Sequence, residues 1–184
     1  MGEKEKMTPA PGQLPSKTQL AAMLRVNLAG EYGAKRIYEG QLAILKDSPS
    51  ASLIEHMKEQ ELRHLKDFET WVVKERVRPT LLHPLWHVAG YVLGAGTALL
   101  GEKAAMACTA AIEEVIDQHY ETQLKRLGSE NLELSHLIQT CQEEEREHRD
   151  IAIKEGAEEA RAFPLLSYGI KRASRLAIWL SERV

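Results

Sequence analysis

Aromatic side chains are scarce, at 5% of 184 residues, so Ala, Leu and Ile must fill most of any core. Cysteine is scarcer still. Cys108 and Cys141 stand alone at no metal-site spacing, which excludes a disulfide scaffold and a zinc finger. Seven prolines and twelve glycines are too few for a collagen-like or low-complexity chain. No apolar run reaches the roughly 18 to 20 residues that a helix needs to span a bilayer. Nor does charge of one sign dominate: 24 Lys and Arg face 27 Asp and Glu, for a net −3. That balance supplies no basic field for a phosphate backbone, so nucleic acid is not an expected partner. The opening Met-Gly-Glu-Lys-Glu-Lys lacks an apolar signal core and carries acids that a transit peptide avoids. What is present is a 43% apolar content, enough to build the core of one domain.

The apolar positions recur at helical period. Residues 1–16 are polar and Pro-rich and read as a flexible arm, leaving 17–184 as a single domain. From Ser16 or Thr18, both good caps, a helix is expected to about Lys46, with Leu20, Leu24, Leu28, Ile37, Leu42 and Leu45 at three- and four-residue intervals. A second is expected from about Ser50 to Val77, with Leu53, Ile54, Met57, Leu62, Leu65, Phe68 and Val72 inward. Arg78-Pro79 and Pro84 interrupt the pattern. Residues 85 to about 127 then read as one long helical stretch, bent near Gly94, Gly96 or Gly101. Another helix covers about 130–160, and Phe163-Pro164 opens the last. No segment alternates with period two, so strands are not expected. The fold class is all-α, a four-helix bundle with one or two additional helices.

Two of these helices carry Glu-x-x-His: Glu61-Leu-Arg-His64 and Glu145-Arg-Glu-His148. Residues at i and i+3 share one helix face. One such pattern arises by chance in Glu-rich helices; two in one chain carry more weight. A helix with a single glutamate precedes each, with Glu31 thirty residues before Glu61 and Glu113 thirty-two before Glu145. Each single glutamate has a tyrosine seven residues on, Tyr38 and Tyr120. The two halves read as a diverged duplication, or as two segments under one geometric constraint. A Glu from each of two helices plus Glu-x-x-His from the other two is the ligand pattern of ferritin-like di-metal bundles. Four glutamates meeting in an apolar interior carry a charge of −4 whose desolvation is prohibitive unless cations neutralise it. Two divalent ions do so, and mixed carboxylate and imidazole donors suit iron or manganese. Glu61 is set by its His64 partner, since Gln60 holds the i−4 position. Glu144 competes with Glu145, and analogy to Glu61 favours Glu145. Glu114 competes with Glu113, whose face is the less polar.

Two segments suggest contact with a membrane. Residues 85–101, Leu-Trp-His-Val-Ala-Gly-Tyr-Val-Leu-Gly-Ala-Gly-Thr-Ala-Leu-Leu-Gly, carry no formal charge. They are too short to span but fit an interface or an apolar slot. The last helix places Leu166, Ile170, Ala173, Leu176, Ala177 and Leu180 along one side, flanked by Lys171, Arg172 and Arg175, with Trp179 near its end. Basic residues beside an apolar face suit anionic headgroups. Packing on the bundle, or an oligomer interface, is the alternative.

From Leu24 onward the chain resembles the demethoxyubiquinone hydroxylases of ubiquinone biosynthesis. The resemblance is carried by Arg25-Val-Asn-Leu-Ala-Gly-Glu-Tyr-Gly-Ala, Leu85-Trp-His-Val-Ala-Gly-Tyr, Gly94-Ala-Gly-Thr-Ala-Leu-Leu-Gly, Ala107-Cys-Thr-Ala-Ala-Ile-Glu-Glu and Leu180-Ser-Glu-Arg. It implies a ferritin-like di-iron monooxygenase, with two Fe ions held by Glu31, Glu61, His64, Glu113, Glu145 and His148. It implies hydroxylation of a polyprenylated quinone ring with O2, and reducing equivalents from NADH or the quinol itself. It further implies a peripheral membrane protein, on the cytoplasmic face of a bacterial membrane or the matrix face of the mitochondrial inner membrane, with a lipid-binding helper protein as partner. His119 and Tyr120 match the family's His-Tyr pair and are candidates to support a ligand or take part in redox chemistry. Trp86, Arg172, Arg175 and Trp179 are candidates for membrane or nucleotide contact. Asn27 departs from the Asp that some relatives carry there. Another di-metal protein, such as a ferroxidase or peroxidase, and a non-catalytic lipid-binding bundle are the competing expectations.

Overall fold

The computed structural model describes residues 15–128 and 131–184. Most of the proposed arm, 1–14, lies outside them. Six α-helices follow in order: α1 Lys17–Leu45, α2 Ala51–Lys74, α3 His83–Leu99, α4 Glu102–Leu127, α5 Leu132–Lys154 and α6 Phe163–Ser181, with a single 3-10 turn at Ala157–Glu159 before the last. Among the described residues there is no strand, and no helix is long and apolar enough to cross a membrane.

Local chemistry sets the boundaries. Ser16 starts α1 through a capping box: its Oγ accepts from the Gln19 N–H, and the Gln19 side chain accepts from the Ser16 N–H. Pro84 and Pro164 sit in the first turns of α3 and α6, where a missing N–H costs nothing. Asn131 caps α5 by accepting from the Leu134 N–H at 3.2 Å. The single long stretch expected over 85–127 is in fact two helices. Gly101 adopts φ 108°, a conformation that side chains resist, and this breaks the chain between α3 and α4. The fourth long helix also stops at Lys154 rather than near 160.

The helices α1, α2, α4 and α5 surround the buried Glu and His residues. The core on one side of that cluster includes Leu24, Phe68, Tyr120, Leu134 and Ile138, all fully buried. On the other side lie Tyr38, Ile54, Met57, Ala105, Met106 and Ala152. Leu62 was expected inward but is 41% exposed.

Helix α3 turns its small residues inward. Gly90, Gly94, Thr97 and Ala98 are buried, while Leu85, Val88, Val92 and Leu99 are exposed. This inversion follows from how closely α3 lies on α1. A Cβ on Gly94 would stand 1.9 Å from the Ile37 carbonyl oxygen, and one on Gly40 would stand 2.2 Å from that of Tyr91. Only hydrogen at these positions allows the two backbones to touch.

Candidate metal centre

Helical phase brings the six predicted residues together. Glu31, Glu61, Glu113, Glu145, His64 and His148 are all buried. Their donor atoms form two groups, Glu31–Glu61–His64–Glu145 and Glu61–Glu113–Glu145–His148, and within each group they lie within 4.8 Å of one another. Glu61 and Glu145 belong to both groups, one from each Glu-x-x-His helix. His64 Nδ1 stands 3.2 Å from Glu31 and 3.2 Å from Glu145. His148 Nδ1 stands 3.3 Å from Glu61 and 3.2 Å from Glu145. The two pairs of competing glutamates are placed differently. Glu113 is buried in the cluster, whereas Glu114 points outward to Lys171 Nζ at 2.6 Å. Glu145 is buried in both groups, whereas Glu144 is partly exposed and lies outside them.

The seven-residue Glu-to-Tyr spacing becomes an exchange between halves. Tyr38 of α1 donates its hydroxyl to Glu113 of α4 at 2.8 Å, and Tyr120 of α4 donates to Glu31 of α1. Burial, and then the neighbouring carboxylates, raise both phenols well above their ordinary pKa, so each remains a donor.

Gln60 and Glu144, not expected as supports, each meet a histidine. His64 Nε2 meets Glu144 at 2.9 Å and His148 Nε2 meets the Gln60 Oε1 at 3.0 Å. With those N–H groups engaged, Nδ1 of each imidazole faces the carboxylates. The residue just before each Glu-x-x-His glutamate thus holds the histidine of the opposite helix. Spacing within one helix cannot reveal such a crossing.

This donor set fits divalent cations. Both oxygens of Glu61, Oε2 of Glu113 and Oε1 of Glu145 are buried with no hydrogen-bond partner, a costly arrangement unless a cation binds them. Burial, and then the adjacent carboxylates, push Glu61 and Glu113 well above the usual carboxylate range. Burial opposes charge on Glu145 as well, but the His148 and His64 imidazoles beside it outweigh that and hold Glu145 at about 2. A cation must therefore displace protons from Glu61 and Glu113. Anaerobic Mn(II) affinity should strengthen as pH rises from about 5.5 to 7.5, by roughly tenfold per unit for each proton released. Equilibrium dialysis across that range checks this, and a flat profile would contradict it.

A cleft of about 200 Å³ lies among α1, α3, α4 and α6, and Glu31 is the cluster residue that lines it. Trp86, Leu93, Ile112, Ile116 and Ala177 line it, and Glu31 and Tyr120 lie on its wall. Trp86 donates to Ser181 Oγ at 3.0 Å across the cleft. His119 also faces the cleft and is mostly buried; burial, and then Arg126, lower its pKa to about 4, so the ring is neutral at physiological pH. Its Nε2 lies 2.7 Å from the Gln123 amide, which also donates to Asn27. The departure at Asn27 therefore sits in an amide pair behind His119. Trp179 lies on the outer surface, 51% exposed, under the Arg183 guanidinium. Arg172 is exposed, and Arg175 donates to Gln118 at 3.2 Å.

Residues 18–181 match the family described as Ubiquinone biosynthesis protein COQ7. The chain belongs to this family. It is 54% identical to a 3-demethoxyubiquinol 3-hydroxylase of Rhodospirillum rubrum, over all of this chain and 87% of that one. It is 47% identical to the human NADPH-dependent 3-demethoxyubiquinone 3-hydroxylase, mitochondrial, over 92% of this chain and 80% of the relative. It is 40% identical to the yeast 5-demethoxyubiquinone hydroxylase, mitochondrial, over 90% and 78%. Apart from Lys17 at the start of α1, the COQ7 match takes in all six helices and every residue of the cluster.

Proposed function

We propose that the buried cluster is a di-iron centre at which this chain hydroxylates the ring of demethoxyubiquinone or its quinol. The chain is an oxidoreductase, a hydroxylase of ubiquinone biosynthesis. Glu31 and His64 would hold one ion and Glu113 and His148 the other, with Glu61 and Glu145 offering donors to both. The observation that carries this reading is the set of buried, unpartnered carboxylate oxygens on Glu61, Glu113 and Glu145, in one cluster with Glu31, which lines an apolar cleft. Bound iron supplies the activation of dioxygen for insertion into a ring C–H bond.

The fold is read as a ferritin-like bundle of α1, α2, α4 and α5, with α3 and α6 added on one side, in a single domain. The cleft between α3 and α6 takes the quinone ring and the first isoprene units, and its apolar walls exclude water. Tyr120 holds Glu31 in place from the same wall. His119, neutral and facing the cleft, is placed to exchange a proton with a ring oxygen. Leu85, Val88 and Val92 of α3, with Leu165, Tyr168, Leu176 and Trp179 of α6, are exposed. Side chains of this kind, with Arg172 and Arg175 beside them, suit a membrane surface holding the polyprenyl tail.

Electrons come from a reduced nicotinamide nucleotide or from the quinol. NADH was the nucleotide expected from the resemblance, while the human relative's name specifies NADPH; Trp86, Arg172 and Arg175 are the contacts proposed for it. The site of action is the cytoplasmic face of a bacterial membrane or the mitochondrial matrix face, and the human and yeast relatives are named mitochondrial. A lipid-binding helper protein is the proposed partner for substrate delivery.

The test is iron content and turnover on anaerobically purified full-length protein. About two irons per chain are expected, with a product one oxygen atom heavier than the demethoxyubiquinol supplied. A chain that binds no ferrous ion, even when loaded anaerobically, would leave lipid binding as the better account.

A further inference from the structure

The supports of the two histidines differ in kind. Glu144 Oε2 accepts from His64 Nε2 at 2.9 Å, from Gln60 Nε2 at 3.1 Å and from Arg63 at 3.3 Å. Gln60 Oε1 in turn accepts from His148 Nε2 at 3.0 Å. A carboxylate has no proton to give, so the Gln60 amide must turn its NH2 to Glu144 and its oxygen to His148. One continuous relay therefore links both imidazoles: His148 to Gln60, Gln60 to Glu144, and His64 to Glu144. The Glu and Tyr residues around the cluster are matched across the two halves, but this pair is not. One half contributes an amide where the other contributes a carboxylate.

We propose that Gln60 and Glu144 are positioning residues that make the two metal positions unequal, the position served by His64 being the tighter. An imidazole that donates its N–H to a carboxylate becomes more electron-rich at its other nitrogen than one that donates to a neutral amide. The bond to an ionised acceptor is also roughly twice as strong, so the His64 ring is the more firmly held. Arg63, on the exposed side, orients Glu144 without replacing its bond to His64. The ion at Glu31 and His64 therefore binds first, and the ion at Glu113 and His148 follows. The inference rests on the reading of the cluster as a two-metal site.

The experiment is anaerobic titration of metal-free, full-length protein with Mn(II), following bound metal by dialysis and its electron paramagnetic resonance spectrum. Wild type should take up two ions in two steps, about tenfold or more apart. At half-loading the spectrum should be that of an isolated ion, and only later that of a coupled pair. Glu144→Gln should weaken the first step by about 10–100-fold and draw the steps together. Gln60→Leu removes the amide from His148, so it should weaken the second step and spread them apart. A merely structural role would not move the two variants in opposite directions. His64→Ala should abolish the tight step, and His148→Ala the weak one. Uptake of both ions in one step, with a coupled pair from the first addition, would overturn the inequality while leaving the two-metal reading intact. So would a separation that neither Glu144→Gln nor Gln60→Leu alters. No uptake at all would overturn both. Circular dichroism of each variant confirms that it is folded, and either of the two supporting variants suffices for the test.

Discussion

Glu61→Ala is expected to leave a folded chain that holds well under one iron and hydroxylates no quinone. Glu61 is the side chain with most to lose, because it belongs to both donor groups and neither of its oxygens has another partner. Its loss would take one donor from each of the two groups. The effect on the metal-free fold runs the other way. Glu61 is raised well above the usual carboxylate range by burial and by Glu145 and Glu31, so the apo-protein carries it under strain. Glu61→Gln, which keeps the volume and removes the charge, should melt no lower than metal-free wild type. Iron analysis, turnover and calorimetry on the pair of variants give the answer together. Iron near wild-type levels with full turnover in Glu61→Ala would end the assignment.

Gly94→Ala should cost about 3 kcal/mol of stability, a fall in melting temperature of roughly 6–12 °C for a chain of this size. The added carbon would meet the Ile37 carbonyl at 1.9 Å and the Ile37 Cα at 2.9 Å. These are backbone atoms, which cannot rotate away, so α3 must lift from α1. Gly90 and Leu93 on that helix line the cleft, and turnover of long-tailed substrate should fall with stability. Gly96→Ala is the control. Nothing lies within 4 Å of a Cβ there, so it should stabilise by about 0.4–1 kcal/mol. Equal melting of the two variants would show that the α1–α3 contact is looser than described.

The cluster was legible because helical phase is a local property. Glu-x-x-His fixes two side chains on one face whatever the helix packs against, and the matching spacings of Glu31 and Glu113 carried that into the second pair. The choice of Glu145 over Glu144 needed only the analogy with Glu61. The contribution of Glu144 did not follow from that choice. It touches His64, eighty residues away, and only the packing of α2 on α5 brings them together. The break at Gly101 was one of three candidate bends, since a glycine in sequence does not announce its φ. The apolar run at 85–101 was recognised, but its inward face was not. Composition makes the large residues look buried, and the close approach of α1 puts the glycines there instead. Leu62 failed for a related reason, since period alone cannot say how wide the covered stripe is.

The exchanged tyrosines have a consequence for descent. Tyr38 lies in the first half and serves Glu113 in the second; Tyr120 lies in the second and serves Glu31 in the first. Whether the halves arose by copying or were drawn to a common pattern, neither can now drift alone. A substitution at Tyr38 loosens a glutamate seventy-five residues away while sparing the one on its own helix. Mutational tolerance at each site is thus set by its counterpart, and the two halves are bound to change as one lineage.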